Sequence, residues 1–105
     1  MDADAENAAL VLDGELTIYT ATATLATLRD YLSGRDVCAL DLSAVTEIDS
    51  AGLQLLLWAR RVSAEQRIRF QLVGVSQPVI SVIDLLQIEP LFGGYPTDFT
   101  VEDAA

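Results

Sequence analysis

Histidine and lysine are both missing from this chain, and cysteine, methionine and tryptophan each occur once. Each absence removes a class of chemistry. Without histidine the commonest general base and metal ligand is gone, and the lone Cys38 can form neither a Cys–His pair nor an internal disulfide. The carboxylates are scattered rather than clustered, so no metal site is expected. Lysine is absent and Gly93-Gly94 is followed by no helical pattern, so there is no glycine-rich phosphate cradle either. Positive charge is scarce as well: six arginines against 16 Asp and Glu leave a net charge of −10. That balance argues against nucleic acid or an anionic membrane surface as the partner and favours a basic protein. Apolar runs such as residues 55–59 are far too short to span a bilayer, so no direct membrane insertion is expected. The first residues are acidic and precede no apolar h-region, so no secretory signal is read there and a cytoplasmic location is expected. The chain is expected not to be an enzyme and to need no cofactor.

What is present suits one small interaction domain. A chain of 105 residues with 51% hydrophobic content can bury a single core. Residues 1–7, acidic and alanine-rich, read as a flexible tail, residues 8–93 as the domain, and residues 94–105 as a C-terminal tail. Leu10-Val11-Leu12 and Leu16-Thr17-Ile18-Tyr19 flank Asp13-Gly14, which predicts a tight β-hairpin. Thr20 or Thr22 opens a helix with Leu25, Leu28 and Leu32 on one face and Ser33-Gly34 as its stop. A buried strand over 37–42 and a helix over 51–66 follow, then a strand over 68–73 closed by Gly74. Ser76 and Pro78 open a last helix whose inner face is Val79, Ile83 and Leu86, and which Pro90 closes. Leu91-Phe92 is expected to pack back on the core. The predicted fold is α/β: a mixed β-sheet with helices packed against it, in the order β-β-α-β-α-β-α.

The most informative stretch joins the buried strand to the long helix. Asp49-Ser50-Ala51-Gly52 is a helix start, and Ser50 has two possible roles there. Its oxygen can cap free backbone N–H groups, which is worth about 1 kcal/mol. Alternatively its hydroxyl, flanked by the small Ala51 and Gly52, is open to a partner and can accept phosphate, which the positive end of a helix favours. Asp49 either orients that hydroxyl or simply shapes the turn. Ser43 and Thr46 are nearby hydroxyls that compete for the same assignment. Farther along the helix, 100° per residue places Leu55, Leu56, Ala59 and Val62 on one side and Gln54, Leu57, Trp58 and Arg61 on the other. The second set is a candidate partner interface, unless the third helix or the C-terminal tail covers Trp58.

Asp41-Leu42-Ser43, then Val45 and Ile48, then Asp49-Ser50-Ala51-Gly52-Leu53 resemble, in type and spacing, the signature of the STAS domains, named for sulfate transporters and anti-sigma-factor antagonists. The similarity of pattern runs over about residues 10–93. The resemblance implies a STAS-type single domain. In the antagonist branch it implies a regulatory module that binds a Ser/Thr kinase acting as an anti-sigma factor and is switched by phosphorylation at the Ser50 position, with a phosphatase as its counterpart. Asp49, Ala51 and Gly52 would support that site. The resemblance also admits another class, a STAS subunit of a bacterial phospholipid-transport ATPase complex, which needs no phosphate switch.

Overall fold

The computed structural model describes residues 8–92, so the tails expected at 1–7 and 94–105 lie outside the described residues. Five strands and three α-helices alternate along the chain: β1 (Leu10–Val11), β2 (Gly14–Leu16), α1 (Ala21–Leu32), β3 (Val37–Leu42), β4 (Val45–Ile48), α2 (Ser50–Glu65), β5 (Arg69–Val75) and α3 (Gln77–Leu86). A 3-10 turn, Glu89–Phe92, follows. The α/β class holds, with one strand more than the predicted order, since Val45 and Ile48 belong to β4 rather than to a connecting turn.

Two expectations about the sheet are corrected. Asp13-Gly14 does not fold β1 and β2 into a hairpin; each pairs instead with a strand from further along the chain. β1 lies parallel to β3, and β2 parallel to β4. Between them Leu12 N–H donates to Asp41 O at 3.0 Å and Gly14 N–H to Ala44 O at 3.1 Å, so the chain keeps its direction. Gly14 uses its positive φ of 70° to shift register by a bulge rather than to reverse the chain. With β5 parallel to β3, every ladder among the described residues is parallel: the strands form a three-stranded sheet, β1-β3-β5, and a two-stranded one, β2-β4, and neither is mixed. β2 also ends at Leu16: Thr17 to Tyr19, expected in the strand, form a turn into α1, which Thr20 opens at its N-cap position as expected.

The core lies between the sheet and the helices. Leu28, Leu40, Leu42, Leu56, Ala59, Val79 and Ile83 are fully buried, as is Cys38, whose thiol burial pushes up out of its reactive range. Val79 and Ile83 form the inner face of α3 as predicted, but Ile80 joins them while Leu86 stands half-exposed. That helix ends at Gln87, which takes the left-handed conformation, before Pro90 is reached. β5 runs on through Gly74 to Val75. Phe92 packs back on the core against Phe70, ring centroids 6.1 Å apart, whereas Leu91 is exposed.

One contact fixes where α2 enters. Gly52, in its first turn, sits so close to β2 that a Cβ there would lie 2.0 Å from the Leu16 carbonyl oxygen. Gly→Ala at a helical position ordinarily stabilises by about 0.5–1 kcal/mol. Here backbone would meet side chain, so Gly52→Ala is expected to destabilise by about 2 kcal/mol or more. Urea unfolding of the two proteins tests it, and an unchanged or higher midpoint would contradict the close approach.

Candidate functional site

The N-terminus of α2 is organised by Asp49. Its backbone is extended (φ −122°, ψ −171°), and one carboxylate oxygen accepts from Gly52 N–H at 3.0 Å, the geometry of an N-cap. The other oxygen accepts from Ile18 N–H at 3.0 Å, across 31 residues of sequence, while Asp49 N–H donates to Leu16 O at 3.1 Å. The carboxylate therefore serves two donors from two elements. Those two N–H groups, Ile18 first and Gly52 second, hold its pKa below the usual carboxylate range.

Ser50 is thus not the cap. It is the first residue of α2, exposed, and no partner among the described residues takes its hydroxyl. Ala51 is half-buried beside it and Gly52 buried behind it. The competing hydroxyls are placed differently. Ser43 donates to Asp41 Oδ1 at 2.6 Å within the β3–β4 turn, and that bond, with the Ser43 N–H, lowers the Asp41 pKa. Thr46 is exposed on β4.

Gln54, Leu57, Trp58 and Arg61 do come together, lining with Leu25 and Arg60 a shallow surface hollow of about 470 Å³. Gln54 and Arg61 are exposed, but Leu57 and Trp58 are half-buried and packed on the core. The element over Trp58 is α1, whose Arg29 guanidinium stands 5.9 Å from the ring centroid, rather than α3. Trp58 lies eight residues beyond Ser50, about 12 Å along the helix axis. The hollow and the hydroxyl are neighbouring but separate features.

Sequence reading missed the turn that bonds to Asp49, the residue before Ser50. Thr17 is buried, yet Ile18 is 63% and Tyr19 88% exposed. Thr17 N–H donates to Thr20 Oγ1 at 3.0 Å, Tyr19 N–H to Thr17 Oγ1 at 3.3 Å, and Thr20 Oγ1 to Glu15 O at 2.9 Å. The available signal was the pair of threonines bracketing Ile-Tyr, since Thr hydroxyls close such turns. Among the described residues no group of three or more metal-ligating side chains exists, and no helix is long and apolar enough to cross a membrane.

A family profile described as Mlab, STAS domain matches residues 1–92. The chain belongs to the STAS domain family. Among solved structures it is similar to an anti-sigma factor antagonist from Mycobacterium paratuberculosis, with 26% identity over 90% of this chain and 78% of that one and a TM-score of 0.68. A sulfate transporter family protein from Wolinella succinogenes shares the fold, with 19% identity, 94% and 81% coverage and a TM-score of 0.70. A third structure, Mglu, matches at 27% identity and a TM-score of 0.56 over 64% of this chain, which spans 17% of that protein. No curated protein matches the sequence.

The two-donor role of Asp49 has a pH signature. Because its folded pKa is depressed, its contribution to stability is full above the ordinary carboxylate value of about pH 4 and is lost as pH falls through the folded value. Asp49→Asn keeps one acceptor and turns an NH₂ toward the other N–H, so Asn is not an equivalent cap here. Thermal melts from pH 7 to pH 3 are expected to show a lower Tm than the parent at pH 7 and a shallower loss on acidification. Parallel curves for parent and Asp49→Asn would contradict the assignment.

Proposed function

We propose that this STAS domain is a docking module switched by phosphorylation of Ser50, of the anti-sigma-factor antagonist kind. Its partner is a Ser/Thr kinase that acts as an anti-sigma factor, with a phosphatase to reverse the mark. The observation that carries the reading is the free, exposed Ser50 hydroxyl on a helix N-terminus whose cap is supplied by Asp49. Since the hydroxyl has no duty in the fold, a kinase can take it without unfolding the site. Phosphate would add about −1.5 to −2 charge to a contact built around a small neutral group, weakening that contact, while the helix N-terminus tolerates the charge. The likeness to the mycobacterial antagonist supports the same reading. Asp49, Ala51 and Gly52 shape the acceptor site, and the hollow of Gln54, Leu57, Trp58 and Arg61 extends the contact surface along α2.

A second reading also has an observation behind it: the matching family profile is described as Mlab, not as an antagonist. On that reading the domain is a STAS subunit of a bacterial phospholipid-transport ATPase complex, and the same end of α2 braces the ATPase with no phosphate switch.

Ser50 variants separate the two. Because Asp49 is the cap, Ser50→Ala is expected to stay within about 0.5 kcal/mol of the parent in stability, less than the loss a capping serine would cause. It should bind the partner while accepting no phosphate, whereas Ser50→Asp should bind on the order of tenfold more weakly. The check combines a kinase reaction, phosphosite mapping and affinity measurements. Phosphate mapped to Ser43 or Thr46 would overturn the site, and equal affinities for the Ala and Asp forms would favour the transport subunit.

A further inference from the structure

Charge is distributed unevenly between the two ends of the α/β layers. Arg29 lies in the last turn of α1, Arg35 just after it, Arg60 and Arg61 in the second half of α2, Arg67 in the turn that follows, and Arg69 at the start of β5. In a parallel topology these positions gather toward the end where helices finish and strands begin. The opposite end, where α2 starts, carries Asp13, Glu15, Glu47 and Asp49 and no arginine. Glu15 and Glu47 are register partners on β2 and β4, both exposed. Like charges directly opposite each other destabilise a strand pair, so this end bears an electrostatic cost with no cation of its own to relieve it.

Ile18 and Tyr19 stand on the same end, where the Ile18 N–H bonds to Asp49, the residue before Ser50. They are held rather than loose: Asp49 fixes the Ile18 N–H, and the Thr17 and Thr20 hydroxyls brace the backbone on either side. With its backbone braced, an aromatic side chain that is 88% exposed has only two side-chain torsions left to order on being covered, which suits an interface anchor. We infer that Ile18 and Tyr19 anchor a partner protein on the Ser50 end, and that the partner's face is basic, with Lys or Arg around an apolar slot that takes the Tyr19 ring. The inference rests on reading the Ser50 end as the docking end. The acidic rim steers and orients that partner, and the apolar pair supplies the residence time.

The test places a photoreactive phenylalanine analogue at position 19, or at position 85 on α3 where Leu85 is nearly as open, in the cells that make the full chain. The adduct is identified, and the purified partner is titrated against parent, Tyr19→Ala, Ile18→Ala, Leu85→Ala and Ser50→Asp forms at about 0.05 and 0.5 M salt. The expected result is an adduct from position 19, affinity on the order of tenfold weaker for Tyr19→Ala, little change for Leu85→Ala, and weaker binding in high salt. No adduct from position 19, an adduct with a second copy of this chain, undiminished affinity for Tyr19→Ala, or salt-independent binding would each overturn it. Loss of binding in Ser50→Asp but not in Tyr19→Ala leaves the switch and removes the anchor. Loss in Tyr19→Ala but not in Ser50→Asp keeps the anchor and removes the switch.

Discussion

One carboxylate ties this site together. Asp49 receives the Ile18 N–H with one oxygen and the Gly52 N–H with the other, and so pins the turn before α1 to the first turn of α2. Two consequences follow from the same atoms. The helix start is drawn so tightly onto β2 that only glycine fits at position 52. Ser50, one residue after the cap, is left with its hydroxyl in solvent. A buried or bonded hydroxyl would make the proposed modification compete with folding; an exposed, unbonded one does not.

The long helix carries its other feature farther from its start. Trp58 is shared between the core, the Arg29 guanidinium and a shallow hollow, so its ring stabilises the fold as well as lining a surface. The acidic end with Tyr19 is different in kind, because Tyr19 contributes almost nothing to the core. In the proposed contact, affinity and fold stability are therefore separable at Tyr19 and entangled at Trp58.

Most of the fold was legible because its signals are local and periodic. The apolar spacing of Leu25, Leu28 and Leu32 located α1, the unbroken run at 37–42 located the central strand, and Ser76 with Pro78 located the start of α3. β4 was not legible: in four residues it buries Val45, half-covers Ile48 and exposes Thr46 and Glu47, too short a pattern to distinguish from a turn. Asp13-Gly14 misled because the same backbone freedom serves a hairpin and a bulge, and the choice depends on pairing with β3 and β4, some 30 residues away. At the site, the segment was evident from its residues, but the cap was off by one. Asp and Ser cap about equally well, and what selects Asp49 is a second donor, Ile18, that a linear reading cannot bring near.

The most direct test is an NMR titration of the Ile18 and Gly52 amide protons with pH, in the parent and in Ser50→Ala. Both amides are expected to shift together with one common midpoint, below the usual carboxylate range, and replacing Ser50 is expected to leave that midpoint in place. Separate midpoints for the two amides, or a Gly52 response that disappears in Ser50→Ala, would show that Asp49 does not bridge them and that Ser50 is the cap after all.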